Sequence, residues 1–392
     1  MKRVSSTLIA LFIILSCREA FARTLSDSAR ISLLTCSPGE ELYSAFGHNG
    51  IRITDYKNEF DVVFNYGTFD FNQPGFYTNF IKGKMLYMVS TDRFSDFMDE
   101  YTYEKRSVTE IELNLTTEDK QRIFAYLYNN ALPENREYYY DFFWDNCATR
   151  PRDVFEKTLD NRLQYHTEHA GFRENYTMRN MLHAYVYNRP WIDYGFDLIL
   201  GLPCDVFATP RNQTFLPFYL EKYFECATID GQPFVVKKQT LLSFPPPVIT
   251  SPFRPLHLSL LLVITGFIIW FVERKKKIHF YQFDFIIYLL TGLLGSLFMC
   301  LWIFSSHYSV PKNMNLLWLI PSHLVVSFFL LKKNKPFWLK FYFAATYILM
   351  MIVLLSWHWL PQPLSIAAMP LVFLLAARSA SIAIDLHFKN KL

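Results

Sequence analysis

The most regular hydrophobic pattern lies in the last third of the chain, where long apolar stretches alternate with short polar ones. The apolar stretches cover residues 256–273, 282–304, 314–331, 337–357 and 364–386. Each is long enough to cross a hydrocarbon core of about 30 Å at about 1.5 Å of helical rise per residue. This pattern predicts an all-α bundle of five transmembrane helices over residues 251–392. The alternative, a soluble domain with five buried helices, is disfavoured by the lengths of the stretches.

Basic residues between these stretches predict how the bundle is oriented. Lys and Arg follow the first, third and fifth stretches, at residues 274–277, 332–335 and 387–391. Because cytoplasmic loops are enriched in Lys and Arg, these three ends are predicted to be cytoplasmic. The loops at 305–313 and 358–363 then lie in the periplasm together with the N-terminal region. We therefore expect a multi-pass protein of the inner (cytoplasmic) membrane.

The first 22 residues have the pattern of a secretory signal peptide. Lys2 and Arg3 precede an apolar run at residues 8–15, and small residues precede a predicted cleavage after Ala22. A lipoprotein signal with Cys17 as the modified residue is the alternative, but the residues around Cys17 fit that pattern poorly. Both alternatives predict export of the segment that follows.

Residues 23–250 show the mixed pattern of an α+β domain. Alternating or short apolar runs predict strands at residues 31–34, 51–53, 62–66 and 108–115. Residues 116–130 predict a helix with Thr117 as its capping residue. A proline-rich stretch at residues 245–252 predicts a stiff linker to the membrane bundle.

Composition and charge narrow the possible functions. The net charge is +4, and the basic residues cluster in loops of cytoplasmic type, so no nucleic-acid partner is expected. Charged residues make up 19% and aromatic residues 18% of the chain, which suits a membrane-associated enzyme. The sequence contains no CxxC, HExxH, GxSxG, P-loop or dinucleotide-binding pattern. We therefore expect neither a metal ion nor a cofactor.

Two short segments, about a hundred residues apart, carry candidate chemistry. His48 lies just before a predicted strand. Cys147 lies at the start of a predicted helix, in which Val154, Phe155 and Leu159 can form a buried stripe. A helix N-terminus and a nearby base both favour the nucleophilic thiolate form of cysteine. The N–H group of Cys147 is a candidate donor to an oxyanion, and Arg150 and Arg152 would add positive charge nearby. The alternatives are a small buried core residue for Cys147 and a structural role for His48.

A third group is expected to orient the imidazole of His48. Asn65, on the next predicted strand, is our candidate. Tyr66 and Asp61 are rivals, because a shift of one residue in strand register exchanges the two faces. Cys36 is the other candidate nucleophile, but it precedes a turn rather than a helix, so a structural role is favoured.

Two further features leave alternatives open. Cys204 and Cys226 could form a disulfide in an oxidising compartment or could remain two buried thiols. The aromatic residues next to the thiol, including Trp144, could contact acyl chains or could pack in the core.

The order of these segments, His before Cys with strands after the His, resembles circularly permuted papain-like enzymes, including the lecithin:retinol acyltransferase-like group. The whole chain resembles the Bacteroides-type lipoprotein N-acyltransferases (Lnb) more closely. This resemblance is carried by residues 34–39, 46–48, 64–69 and 145–150, followed by a multi-span bundle.

The resemblance implies an α+β, permuted papain-like extracytoplasmic domain that transfers an acyl chain from a membrane phospholipid. The acyl chain would pass through a thioester on Cys147 to the α-amine of a diacylglyceryl-Cys lipoprotein, with His48 as the base. From the residues themselves, Asn65 is our candidate for the third group, and Tyr66, Asn146, Arg150 and Trp144 are the candidate supporting residues. The expected organisation is a signal peptide at 1–22, this domain at 23–250 and the membrane domain at 251–392.

Two other functions are compatible with the same residues. A cell-wall amidase or peptidase of papain-like fold needs the same Cys and His, although a wall hydrolase needs one anchor at most. In a non-enzymatic membrane-assembly protein, His48 and Cys147 would be packing residues, and exchanging the thiol for a hydroxyl would leave function intact.

Overall fold

The computed structural model describes residues 24–70, 74–168, 170–247, 249 and 251–389. The predicted signal peptide, with Cys17 and the cleavage after Ala22, lies outside these residues. In chain order the strands are β1 (Arg30–Cys36), β2 (His48–Asp55), β3 (Phe60–Thr68), β4 (Leu86–Arg93), β5 (Val108–Leu113), β6 (Glu137–Tyr139), β7 (Leu163–Tyr165), β8 (Ala227–Ile229), β9 (Gln232–Pro233) and β10 (Val235–Leu242).

The helices are also numbered in chain order. They are α1 (Phe76–Lys82), α2 (Phe94–Tyr103), α3 (Thr117–Ala131), α4 (Thr149–Leu159), α5 (Met178–Val186), α6 (Pro190–Ile199), α7 (Pro210–Gln213), α8 (Pro217–Glu225), α9 (Pro255–Lys276), α10 (Tyr281–Phe304), α11 (His323–Phe329), α12 (Leu339–Ser356) and α13 (Met369–Lys389).

The chain divides into two compact units. The first, which we call the sheet unit, comprises the residues up to Asp70, Leu86–Phe172 and Pro210–Pro247. The second, the helical unit, comprises Phe71–Met85, Arg173–Thr209 and Val248–Leu392. Two segments of the N-terminal region therefore belong to the same compact unit as the apolar helices.

The sheet unit is built on a seven-stranded antiparallel sheet in the order β10-β5-β1-β2-β3-β4-β6, and a smaller sheet has the order β7-β8-β9. The strands predicted from the sequence are confirmed as β1, β2, β3 and β5. The predicted helix at 116–130 is confirmed as α3. Its cap is Thr116 rather than Thr117, because Thr116 and Asp119 form a reciprocal capping box.

Both faces of the large sheet are covered. Neighbouring residues of a strand point to opposite faces. Leu33 and Phe64 therefore pack with Phe155 of α4 in one buried cluster, which also includes residues of α3 and α8. Leu34 and Cys36 lie in a second buried cluster with residues of α2 on the opposite side.

The helical unit contains four helices, among the residues described, that are long and apolar enough to cross a membrane. They are Pro255–Lys276, Tyr281–Phe304, Leu339–Ser356 and Ile366–Phe388. The prediction of a regular helix over 314–331 is wrong. That segment consists of a 3-10 turn at Met314–Leu317 and the short helix α11, with Pro321 between them. Proline lacks an N–H group and disfavours helical backbone at the residue before it.

This broken segment runs antiparallel to α10. A Cβ atom added at Gly295 of α10 would overlap the backbone of Leu319, and one added at Gly292 would overlap the backbone of Leu324. Residue numbers therefore increase along the segment in the direction in which they decrease along α10. The absence of side chains at the two glycines allows this close backbone contact.

The N-terminal segment that belongs to the helical unit is tied to the bundle's loops by buried amide groups. Asn315 Nδ2 donates to the carbonyl oxygen of Asp197 (2.8 Å), and Gln362 Nε2 donates to that of Leu200 (2.9 Å). Asn313 Nδ2 donates to the carbonyl oxygen of Leu198 (2.7 Å). Residues at the end of α6 therefore fold together with two loops of the membrane bundle.

The five described cysteines, Cys36, Cys147, Cys204, Cys226 and Cys300, are free thiols. The disulfide considered between Cys204 and Cys226 is not formed. The thiol of Cys226 donates to the carbonyl oxygen of Tyr223 (3.2 Å), and that of Cys204 donates to Ser309 (3.6 Å).

Candidate active site

Cys147 lies in the turn that leads into α4, and Asn146 fixes this turn. The side-chain oxygen of Asn146 accepts the N–H groups of Ala148 (2.8 Å) and Thr149 (2.9 Å). Its Nδ2 donates to the carbonyl oxygens of Phe142 and Phe215, both at 2.8 Å. Asn146 is buried and its amide is fully used, so its part is to hold the backbone on which Cys147 lies.

Helix α4 is anchored as the sequence predicted. Val154, Phe155 and Leu159 are buried and form the predicted apolar stripe. Pro151 lies in the first turn, where the missing N–H group costs no hydrogen bond. The stripe holds the start of α4, and with it Cys147, against the sheet.

His48 opens strand β2, and Asn65 on β3 is the side chain that holds its imidazole. His48 Nε2 donates to Asn65 Oδ1 at 3.1 Å. Asn65 Nδ2 in turn donates to a carboxylate oxygen of Asp92 on β4 at 2.7 Å. A carboxylate only accepts hydrogen bonds, so Asp92 sets the direction of the Asn65 amide. The neutral imidazole therefore carries its proton on Nε2 and its lone pair on Nδ1.

The two rivals of Asn65 are engaged elsewhere. The hydroxyl of Tyr66 donates to Asn130 Oδ1 of α3 at 2.7 Å, on the other face of the sheet. The carboxylate of Asp61 accepts two hydrogen bonds of 2.8 Å from Arg52. The register of β2 and β3, with Gly50 opposite Asn65, thus turns Asn65 to the face that carries His48.

A bulge in β3 makes room for Cys147. The pairing of β3 with β4 shifts between Tyr66 and Thr68, and Gly67 between them has φ +97°. A Cβ atom added at Gly67 would lie 3.4 Å from the Cβ of Cys147. The Cys147 turn therefore approaches the backbone of β3 two residues beyond Asn65.

The imidazole and the thiol are both uncharged at neutral pH. Burial lowers the pKa of His48 to about 4; the hydrogen bond to Asn65 opposes this, and the charge of Arg106 adds to it. Burial raises the pKa of Cys147 to about 11, opposed by hydrogen bonds from the N–H groups of Asn49 and Cys147 and by the charge of Arg106. At neutral pH His48 is therefore a neutral base and the thiol of Cys147 is protonated.

Arg106 supplies the positive charge that we expected from Arg150 and Arg152. Arg150 pairs through two guanidinium nitrogens with Asp145 and lies over the ring of Tyr138 (3.8 Å). Arg152 is buried and pairs with Asp153 at 2.7 Å. Both arginines therefore stabilise the turn and the helix around Cys147, and neither is among the groups that act on the thiol's pKa.

Cys36, the other candidate nucleophile, lies opposite His48 in the pairing of β1 with β2. It is 1% exposed and packs with Phe97 and Tyr101 of α2. Burial raises the pKa of its thiol to about 12, above that of Cys147. Cys147 is half-buried, and the pKa of its thiol, although also raised by burial, is the lower of the two.

The aromatic residues before Cys147 have different environments. The rings of Phe142 and Phe143 pack against Phe215, and Phe143 is 3% exposed. Trp144 is 37% exposed. The backbone N–H groups of Phe143 and Trp144 each donate a hydrogen bond to Asp141 Oδ1, at 2.9 and 3.0 Å. Core packing therefore accounts for the two phenylalanines, and Trp144 is the one of the three that presents its ring at the surface.

Sequence reasoning missed Asp92, Arg106 and Asn49. The register of β3 and β4 brings Asp92 to the site, because Asp92 lies opposite Val63, two residues before Asn65 on the same strand. Arg106 comes from the connection between α2 and β5. No local motif marks Asp92 or Arg106, whereas Asn49 directly follows His48 in the sequence. In the described part of the chain, no three His, Cys, Asp or Glu side chains lie together in a way that could hold a metal ion.

Fold and site together define a multi-pass membrane protein whose sheet-rich domain places the Cys147 turn against β3, the strand that carries Asn65, the hydrogen-bond partner of His48. The chain belongs to the Lnb family. The family model of the Lnb N-terminal periplasmic domain matches residues 19–184, and that of the Lnb transmembrane domain matches residues 248–390. Neither a search of the curated proteins nor one of the solved structures gave a match.

Proposed function

We propose that this protein is a lipoprotein N-acyltransferase. It moves an acyl chain from a membrane phospholipid, through a thioester on Cys147, to the α-amine of a diacylglyceryl-Cys lipoprotein. The observation that carries the proposal is the pairing of His48 with Asn65 beside the Cys147 turn, in a chain of the Lnb family.

The first half-reaction forms the thioester. Because His48 is neutral and the thiol is protonated, Nδ1 of His48 takes the thiol proton as sulfur attacks the ester carbonyl carbon. The N–H group of Cys147 donates to the developing oxyanion. When the C–O bond of the ester breaks, His48 gives its proton to the departing lysophospholipid oxygen.

The second half-reaction forms the amide. The lipoprotein's terminal amine attacks the thioester carbonyl, and His48 takes a proton from the nitrogen. The C–S bond then breaks, and His48 returns the proton to the sulfur of Cys147. A thioester suits this sequence because it reacts readily with amines and persists where water is excluded.

The remaining residues support this chemistry without reacting. Asn65 keeps the imidazole in the Nε2-protonated form, and Asn146 and Arg150 hold the turn that carries Cys147. Tyr66 anchors β3 in the core, and Trp144 offers an exposed ring to an acyl chain. The domain architecture we propose for residues 23–250 is the permuted papain-like fold. Cleavage after Ala22 would precede it.

We also propose that the membrane domain, residues 251–392, crosses the inner membrane five times. The broken segment at 314–331 is the third crossing, because it runs antiparallel to α10 past Gly292 and Gly295. This path puts the basic residues at 332–335 and at the C-terminus on the cytoplasmic side, as the positive-inside rule requires.

A cell-wall amidase or peptidase is the second candidate, because hydrolysis can use the same thiol and imidazole. The transmembrane helices favour acyl transfer, since both proposed substrates are anchored in the membrane and shared anchoring raises their effective concentration.

The test is mass spectrometry of a lipoprotein's N-terminal cysteine from cells that lack N-acylation. The cells express the wild-type chain, Cys147→Ser or, as a matched control, Cys300→Ser on an exposed face of α10. We expect a third acyl chain with wild type and Cys300→Ser and none with Cys147→Ser. No added chain with well-expressed wild type would contradict the proposal and favour the wall hydrolase. An added chain with all three would exclude Cys147 as the nucleophile.

A further inference from the structure

Helix α1 is a short amphipathic helix whose apolar side is exposed. At 3.6 residues per turn, Tyr77, Phe80 and Ile81 share one side of the helix, and Thr78 and Lys82 lie on the other. Tyr77 is 76%, Phe80 is 56% and Ile81 is 51% exposed. No residue of α1 is buried in the described structure. Such an exposed apolar surface marks a contact with something outside the described chain.

The C-terminal end of α1 is tied to the end of a membrane-spanning helix. Ser306 N donates to the carbonyl oxygen of Lys82 at 2.8 Å, and His307 Nε2 donates to that of Phe80 at 2.7 Å. The ring of His307 also contacts the ring of Phe80. Helix α10 ends at Phe304, and only Ser305 separates it from Ser306 and His307.

These contacts fix the depth of α1 relative to the bilayer. Helix α10 is long and apolar enough to cross a membrane, so its end at Phe304 would lie at the boundary of the hydrocarbon core, on the side of the loop 305–313. The family model places the domain that contains α1 in the periplasm, which agrees with the orientation predicted from the basic loops. Helix α1 therefore lies at the periplasmic membrane interface, where aromatic side chains are favoured.

We propose that α1 is an interfacial helix that inserts Tyr77, Phe80 and Ile81 into the outer lipid leaflet, with Thr78 and Lys82 facing water. The partner of this surface is the phospholipid bilayer itself. In the chain, α1 connects β3, which carries Asn65, to β4, which carries Asp92. A lipid-bound element is thus inserted between the two strands that position the imidazole. The proposal is independent of which reaction the site performs.

Photocrosslinking tests the proposal directly. The photoreactive residue p-benzoylphenylalanine replaces Phe80 or Ile81 on the apolar side, Thr78 on the polar side, or Phe304 at the end of α10 as a positive control. Each full-length variant is reconstituted in vesicles of phosphatidylethanolamine and phosphatidylglycerol, irradiated and measured by intact-mass spectrometry. The thermal unfolding midpoint of each variant confirms that it is folded.

We expect protein-plus-phospholipid adducts at positions 80, 81 and 304, several-fold more abundant than at position 78. Equal adducts at positions 78, 80 and 81 would overturn the proposed sided insertion. Adducts to polypeptide alone at 80 and 81 would show that a protein covers this surface. Adducts at 304 but none at 80 or 81 would show that the helix lies in water. The same measurement in a Cys147→Ser chain separates this proposal from the acyl-transfer proposal, since lipid contact requires no active thiol.

Discussion

The most specific prediction about the site concerns Asp92, which orients the side-chain amide of Asn65. Asp92 accepts a hydrogen bond from Asn65 Nδ2 at 2.7 Å and thereby turns Asn65 Oδ1 toward His48. In Asp92→Ala the amide is free to reverse, and its NH2 group would then face Nε2 of His48. A donor at that position favours the tautomer with its lone pair on Nε2, which leaves Nδ1 protonated and unable to take the thiol proton.

The size of the effect follows from the hydrogen bond that is lost. A hydrogen bond to a charged group contributes about 1.5–3 kcal/mol. The Asp92 side chain is exposed, so solvent screening reduces this preference to about 1–1.5 kcal/mol. At about 1.4 kcal/mol for each factor of ten in rate, thioester formation should slow about five- to tenfold.

The assay is single-turnover formation of the acyl-enzyme in phospholipid vesicles without an acceptor, followed by intact-mass spectrometry. Asp92→Asn is the matched control, because it retains an acceptor oxygen for Asn65 and should keep most of the rate. An unchanged rate in Asp92→Ala would refute the orienting role of Asp92. Equal losses in both variants would show that the negative charge matters rather than the direction of the amide.

Three further predictions concern the thiol site and the topology. Because the pKa of His48 is lowered to about 4, its neutral form persists in mild acid. The rate of thioester formation should therefore decline only as pH falls toward 4 and show no step near pH 6.5. Single-turnover reactions stopped at a series of pH values measure this rate. Gly67→Ala forces a φ of +97° on a residue with a side chain and adds a methyl group beside Cys147. Chemical denaturation should therefore show a free energy of unfolding that is lower by about 1–2 kcal/mol, and acyl-enzyme formation should be slower. Alkaline phosphatase fused after Lys312 should be active and fused after Lys335 inactive; activity at both would contradict a third crossing.

Local patterns were sufficient to predict the elements that carry the site. The alternating and apolar runs predicted β1, β2, β3 and β5, and the stripe of Val154, Phe155 and Leu159 predicted α4, with Cys147 near its start. These predictions hold because each depends on a periodicity within a single element. The pairing of His48 with Asn65 also follows from one strand register.

The features that the sequence did not reveal depend on contacts between distant segments. Asp92 and Arg106 reach the site through the register of β4 and the connection before β5, and neither is marked by a motif. Apolar content predicted a regular helix over 314–331, but the helix is interrupted at Pro321. The grouping of α1 and α6 with the membrane bundle likewise depends on hydrogen bonds from loop residues such as Asn315.

The most direct test of the account is to locate the acyl group on the protein. Purified wild-type chain is incubated in phospholipid vesicles without acceptor and digested, and the acylated peptide is identified by mass spectrometry before and after neutral hydroxylamine. We predict one hydroxylamine-sensitive acyl group on the peptide that contains Cys147, and none in the His48→Ala variant. An acyl group on Cys36, or no thioester from a preparation that N-acylates lipoproteins, would contradict the proposed mechanism.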